Sequence, residues 1–258
     1  MTAIQSLIYG VIFGLTQIFP VSNQATNELI HFYLEWNVPN PTMTWYYTMA
    51  SLFALFFVFR HDWASLLSSF IRFLMSFRKP QTLDEYLPLI LILIGLPAFL
   101  TEKFIHFPIT ELPLWIHGCL IGLGSFLLWL SDRRSKKVKK FYDWTPLDAL
   151  LICILQAVAI LPFEARILGI LIAAFLRNYS RQAAIKLALL STLPSLIIKA
   201  SSIDTHLKLS ELPWIEGETT WILVGLGCAA CFTASLLAIQ SFLSMTENES
   251  FGKILFFR

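Results

Sequence analysis

TWILVGLGCAACFTASLLAIQSFL, residues 220–243, decides the fold class, because it runs without a charged residue for the ~20 residues an α-helix needs to cross the hydrocarbon core of a bilayer. Clear companions are residues 45–59, 86–100, 112–130 and 182–198. Shorter or interrupted apolar runs, at 4–19, 63–77, 147–161 and 167–176, suit tilted, re-entrant or bundle-packed helices. The reading is an all-α, polytopic transmembrane helical bundle.

Composition agrees. Of 258 residues, 56% are hydrophobic and 14% are charged, against about 25% charged in an ordinary soluble domain. The longest polar stretches are loops, so residues 1–258 form a single integral membrane domain without a soluble module. The N-terminal run has neither a basic leader nor a small-residue cleavage site, which makes it the first helix of the fold and not a removable signal.

The net charge of +2 carries no message about nucleic acid, and no nucleic-acid partner is expected. The basic residues are instead concentrated in DRRSKKVKK, residues 132–140, with six Lys/Arg, and a second basic turn is Arg78–Lys79. Loops rich in Lys and Arg stay on the cytoplasmic side, so both turns are expected there. Residues 102–111 and the acidic 204–218 segment then fall on the far side.

Local signals mark two helix starts. In Thr145-Pro146-Leu147-Asp148 the threonine caps, the proline suits the first turn and Asp148 reaches back. Ser180-Arg181-Gln182 reads the same way with Ser180 as cap. Cys119, Cys153, Cys228 and Cys231 all lie in apolar runs, where cysteine packs as a small hydrophobe. The Cys228-x-x-Cys231 pair has no second pair to make a metal site with.

Chemistry-bearing residues gather in two places. The first is FGLTQIFPVSNQAT, residues 13–26. It resembles the first signature of the undecaprenyl-diphosphate phosphatase (bacitracin-resistance) family, roughly E-G-L-T-E-F-x-P-V-S-S-x-G-H. Gly14, Leu15, Thr16, Pro20, Val21 and Ser22 match; the two family glutamates fall on Phe13 and Gln17, and the family histidine on Thr26. About 140 residues later, Gln156, Ala159, Pro162 and Arg166 match a second signature, Q-x-x-A-x-x-P-G-x-S-R-S-G. Ser180, Arg181, Ala183 and Ala184 match the S-R-x-A-A that follows it. Here the glycine and both serines of P-G-x-S-R-S-G are replaced, and of its phosphate-facing set only Arg166 survives.

The resemblance implies two inverted repeats, about 1–131 and 145–258, joined by the basic loop 132–144, with broken or re-entrant helices meeting near mid-membrane. Residues 250–258, SFGKILFFR, resemble the segment before the family's last transmembrane helix, which is therefore expected to be absent. The resemblance also implies a polyprenyl phosphate or diphosphate carrier lipid as partner, and glutamates acting with Mg²⁺ or Ca²⁺ beside a histidine. A Ser/Arg loop would bind phosphate.

Those cations want oxygen ligands, carboxylates first. Phe13 offers none, Gln17 only a neutral amide oxygen, and Thr26 cannot shuttle a proton near neutral pH. Loss of one general acid or base costs ~10²–10⁴ in rate. The expectation is a family member that binds carrier lipid and is catalytically degenerate, with Arg166, Ser22 and Asn23 facing phosphate. Two alternatives stand beside it. One is an active phosphatase using Glu164, or the pair Glu28 and His31 three apart on one helix face. The other is a remnant with no activity. For Glu164 and Arg166 the plainer reading is a structural ion pair, and for Glu28 and His31 ordinary helix-end contacts.

Overall fold

A computed structural model describes residues 2–37, 39, 41–76, 85, 87, 88, 90, 91, 114–157, 166–202 and 218–244. Its helices are α1 (Ala3–Ile18), α2 (Asn23–Leu34), α3 (Pro41–Ser76), α4 (Leu114–Arg134), α5 (Pro146–Ala157), α6 (Arg166–Leu176), α7 (Arg181–Ser202) and α8 (Glu218–Leu243). Each described helix except α2, which follows Pro20 and is more polar, falls on an apolar run expected from the sequence. Most of the 86–100 run, Arg78–Lys79, residues 102–111 and most of the 204–218 segment lie outside the described residues.

One boundary differs from expectation. The runs 45–59 and 63–77 are two helical segments joined end to end as α3, Pro41–Ser76, across a kink at Phe59 (φ −95°, ψ 15°). Arg60, His61 and Asp62 interrupt the apolar pattern without breaking the backbone, because none of them lacks an amide hydrogen or disfavours a helix strongly. α3 and α8 are each long and apolar enough to cross a membrane.

α1 packs along α8, and glycines set the spacing. A Cβ on Gly10 would sit 2.2 Å from the Gly227 carbonyl oxygen, and one on Gly14 would sit 2.5 Å from the Cys231 carbonyl oxygen. Gly10 and Gly14 form the small-x-x-x-small stripe by which membrane helices bring backbones together. Polar side chains then fasten the contact to α3. Ser6 Oγ donates to the Leu223 carbonyl (2.6 Å) and Tyr47 Oη to the Ser6 carbonyl (3.3 Å). Ser235 Oγ lies 3.2 Å from Ser51 Oγ, which lies 3.2 Å from Cys231 Sγ. The buried Cys231 thiol is thus packing and hydrogen-bonding material. We expect Gly10→Ala to force α1 and α8 apart and cost at least the ~1–3 kcal/mol typical of overpacking. Thermal unfolding in detergent checks this, and an unchanged midpoint would refute the close approach.

The second half of the chain surrounds α6, a helix only about 16 Å long by the usual rise. Ile167, Leu168, Ile170, Leu171, Ala173, Ala174 and Phe175 are all buried, against α4, α5 and α7. A helix apolar all round in this way is a core helix.

The basic loop after α4 is docked against the α6–α7 turn. Lys139 N–H donates to the Asn178 carbonyl and Ser180 N–H to the Lys139 carbonyl, both at 2.9 Å. Lys136 N–H donates to Asn178 Oδ1 (2.9 Å), and Asn178 itself takes a left-handed φ of 64°, which asparagine tolerates better than most residues. Two fully buried carboxylates hold the loop in place. Asp148 accepts from Thr145 N–H (2.8 Å), Tyr179 Oη (2.9 Å), Lys139 Nζ (2.9 Å) and Arg177 Nε. The expected reach of Asp148 back to the Thr145 amide is present, and it doubles as an ionic anchor. Asp132 takes both arms of Arg181, at 2.7 and 2.8 Å. Burial, reinforced by the hydrogen bond to Asp148, pushes the Tyr179 phenol well up.

Candidate functional site

The first signature forms a broken helix. Pro20 has no amide hydrogen and disfavours helical angles in the residue before it. Phe19 accordingly turns extended (ψ 154°) as the C-cap of α1. Val21 N–H closes a tight turn onto the Phe19 carbonyl (2.7 Å), and Ser22 caps α2 by accepting from Ala25 N–H (3.3 Å). The C-terminus of one half-helix is thereby set beside the N-terminus of the next. Exposed amide hydrogens at such an N-terminus favour negative charge.

The side chains of this frame are committed as follows. Phe13 is 4% exposed and its ring centroid lies 5.6 Å from that of Tyr47, inside a cluster with Tyr9, Ile30, Met43 and Val224. Thr16 Oγ1 donates to the Phe13 carbonyl (3.2 Å), and Gln17 is half-buried in the last turn of α1. Thr26 Oγ1 donates to the Ser22 carbonyl (2.8 Å), and Asn27 Nδ2 to Asn23 Oδ1 (2.9 Å). His31 Nδ1 lies 2.9 Å from the Trp36 carbonyl at the far end of α2. Glu28 and His31 sit on the same helix, as the sequence suggests, but that contact ties His31 to the chain leaving α2.

In the second signature, Arg166 opens α6, while Glu164 and residues 158–165 lie outside the described residues. Ser180 caps α7 by accepting from Ala183 N–H (3.4 Å), as expected. Ile18, at the end of α1, belongs to the same buried cluster as Ile167 and Leu168. The sequence reading missed the aromatic pair Phe13–Tyr47 and the pair Asp132–Arg181. Nothing local announces either, since the partners are far apart in the chain.

A divalent cation of the Mg²⁺ or Ca²⁺ type needs several oxygens, with carboxylates favoured. At Phe13, Gln17 and Thr26, where the resemblance puts the family's glutamates and histidine, the structure presents a buried ring, a neutral amide and a hydroxyl already donating to backbone. Among the described residues no three His, Cys, Asp or Glu side chains converge. That donor set does not fit such a cation.

Comparison with known proteins extends the match beyond the two signatures. The family model described as Bacitracin resistance protein BacA matches residues 6–258. The chain is similar to the undecaprenyl-diphosphatase of Gemmatimonas aurantiaca, 27% identical over 262 residues, covering 100% of this chain and 94% of that protein. It is similar to the undecaprenyl-diphosphatase of Geobacter metallireducens, 28% identical over 262 residues, covering 100% and 95%. To that of Chlorobium chlorochromatii it is 28% identical over 211 residues, covering 78% and 74%.

Proposed function

Because the chain belongs to the BacA family of bacitracin resistance proteins, we propose that it holds a polyprenyl phosphate or diphosphate carrier lipid in the bacterial inner membrane without hydrolysing it by the family's carboxylate route. The observation that carries this reading is Phe13. A position that bears a glutamate in the family signature has become part of an aromatic core, 4% exposed and packed at 5.6 Å against the tilted ring of Tyr47. Such a position was refilled, not merely neutralised. Gln17 and Thr26 complete the loss of ionisable groups from the frame.

The binding half of the proposal rests on what survives. The turn Pro20–Val21–Ser22 still breaks the helix and starts α2 afresh at Asn23, so that its first amide hydrogens lie beside Ser22 and Asn23. Arg166 begins the short helix α6, where a guanidinium suits a phosphate's paired oxygens. The inverted-repeat arrangement and the cytoplasmic placement of the basic loop belong to the same proposal.

The test is phosphate release from undecaprenyl diphosphate by the purified protein in detergent, with Mg²⁺ or Ca²⁺ and an EDTA control. We expect no release above the control while a family enzyme with intact glutamates works in the same tube. We also expect saturable retention of undecaprenyl phosphate that Arg166→Gln weakens at least tenfold. Metal-dependent release that Glu164→Gln abolishes would overturn the proposal in favour of an active phosphatase with substitute residues. Neither turnover nor retention would leave the remnant reading.

A further inference from the structure

α3 is longer than one membrane crossing needs. Its first part, residues 41–59, spans about 28 Å at the usual rise per residue, close to the ~30 Å hydrocarbon core. The remaining seventeen residues, 60–76, add about 25 Å. The change falls at Phe59, and the next three residues are Arg60, His61 and Asp62.

Contacts place this level on the side of the basic loop. Asp62 pairs with Lys186 of α7, and Lys186 Nζ also lies 5.3 Å from the Phe141 ring centroid. His61, Asp62 and Ser65 share a cavity of about 200 Å³ with Phe141 and Tyr142 of the loop. Lys186 stands on the first turns of α7, where Arg181 grips Asp132 at the head of that loop.

Beyond the kink the helix has three faces. Trp63 and Leu66 are buried against the protein, with Phe70 and Phe73 half-buried along the same line. Leu67 (44% exposed), Ile71 (52%), Leu74 (52%) and Met75 (75%) recur at i, i+4, i+7 and i+8 and form an uncovered apolar stripe. The remaining arc is polar, with Ser65, Ser68, Ser69, Arg72 and Ser76. A stripe that apolar would be costly in water, and a serine- and arginine-bearing arc would be costly in hydrocarbon. An in-plane position at the boundary satisfies both.

We propose that the second half of α3 is an interfacial helix, bedded in the anionic lipid surface of the leaflet next to the basic loop. Charge selects the occupant. Arg60 and Arg72 lie on the helix, folded against their own backbone, and Arg133, Arg134, Lys136 and Lys140 are exposed on the loop. Asp62 is offset by Lys186. Basic residues gathered at a membrane surface are drawn to anionic headgroups. This inference does not depend on whether the lipid-diphosphate site turns over.

Spin labels test it in nanodiscs of phosphatidylglycerol and phosphatidylcholine. They are placed one at a time by Leu67→Cys, Ile71→Cys, Leu74→Cys, Met75→Cys, Ser68→Cys and Arg72→Cys, with the four native cysteines replaced by alanine. Expected is greater access to oxygen than to a water-soluble relaxant at 67, 71, 74 and 75, all at a common depth of about 5–10 Å. The order should reverse at 68 and 72. Depth should lessen in pure phosphatidylcholine, and Arg60→Gln with Arg72→Gln should remove that difference. Steady deepening from 67 to 75 would mean a membrane crossing, relaxant access everywhere a helix in water, and spin–spin broadening a second copy. Each of these overturns the proposal, as does equal depth in both lipids. If removing Cys231 spoils folding, benzophenone photocrosslinking from position 71 in the otherwise unaltered chain decides: phospholipid adducts support it, and dimers or no adducts do not.

Discussion

Replacing Arg181 by methionine should cost the membrane domain about 3–5 kcal/mol, because it strands a carboxylate inside the protein. Asp132 is 1% exposed and receives both arms of the Arg181 guanidinium at 2.7 and 2.8 Å, with Lys137 Nζ farther off at 3.5 Å. Two parallel charge-assisted hydrogen bonds of this kind cannot be replaced by a distant lysine. Asp132→Asn should be nearly as harmful, since it leaves a buried guanidinium half satisfied. The double variant Asp132→Leu with Arg181→Met removes both charges and should recover most of the loss, as replacing a whole buried pair by apolar groups commonly does. Unfolding midpoints of the four proteins in one detergent complete the cycle. The same set distinguishes two roles for Arg181. A folded double variant that retains carrier lipid as well as the parent does fixes Arg181 as a structural residue. One that folds and loses the lipid would make it a phosphate ligand, and the ion pair a secondary matter.

This pair shows where sequence reading stops. Ser180-Arg181 stands where the family has a second serine–arginine pair, and the serine's local task, capping α7, is legible from the next few residues. The arginine's task depends on Asp132, forty-nine positions earlier, and no periodicity points there. The same contrast runs through the fold. Apolar runs mark the described helices other than α2 because a helix in a bilayer must be apolar for its own length, which is a local requirement. Asp148 reads as a cap for the same reason, whereas its bonds to Arg177 and Tyr179 depend on the return of the chain after α6. The kink at Phe59 is half legible: the sequence marks an interruption at Arg60–Asp62, but that the second segment resumes directly and buries Trp63 and Leu66 depends on distant parts of the chain. At the candidate site the frame Thr16, Pro20 and Ser22 could be read because turns and caps are local. What fills the vacated glutamate position could not, because its partner Tyr47 belongs to another helix.

That filled position supplies the other large effect. Phe13→Glu, the change that restores the family residue type, should leave little folded protein. Removing a buried phenyl ring costs about 3–5 kcal/mol, and an unpaired carboxylate among Tyr9, Met43, Tyr47 and Val224 adds several more. A total stability of about 5–15 kcal/mol does not absorb that sum comfortably. Gln17→Glu, in a half-buried position, should be far milder, and Thr26→His loses only the bond to the Ser22 carbonyl. The triple variant should therefore resemble Phe13→Glu alone, with low recovery of monodisperse protein by size exclusion and no metal-dependent phosphate release. The penalty comes from the neighbours that closed around the ring, so adding Tyr47→Ala should relieve part of it by opening space and admitting water to the carboxylate. The stability of the pair should then exceed the sum of the two single changes by 1 kcal/mol or more, within the range for side chains in contact, ~0.5–3 kcal/mol. Phe13→Glu that folds at the parent's midpoint would show that the α1–α3 interface retains a polar pocket. Phe13 would then be, with Gln17 and Thr26, one of three substitutions in a preserved frame and not the mark of a rebuilt one.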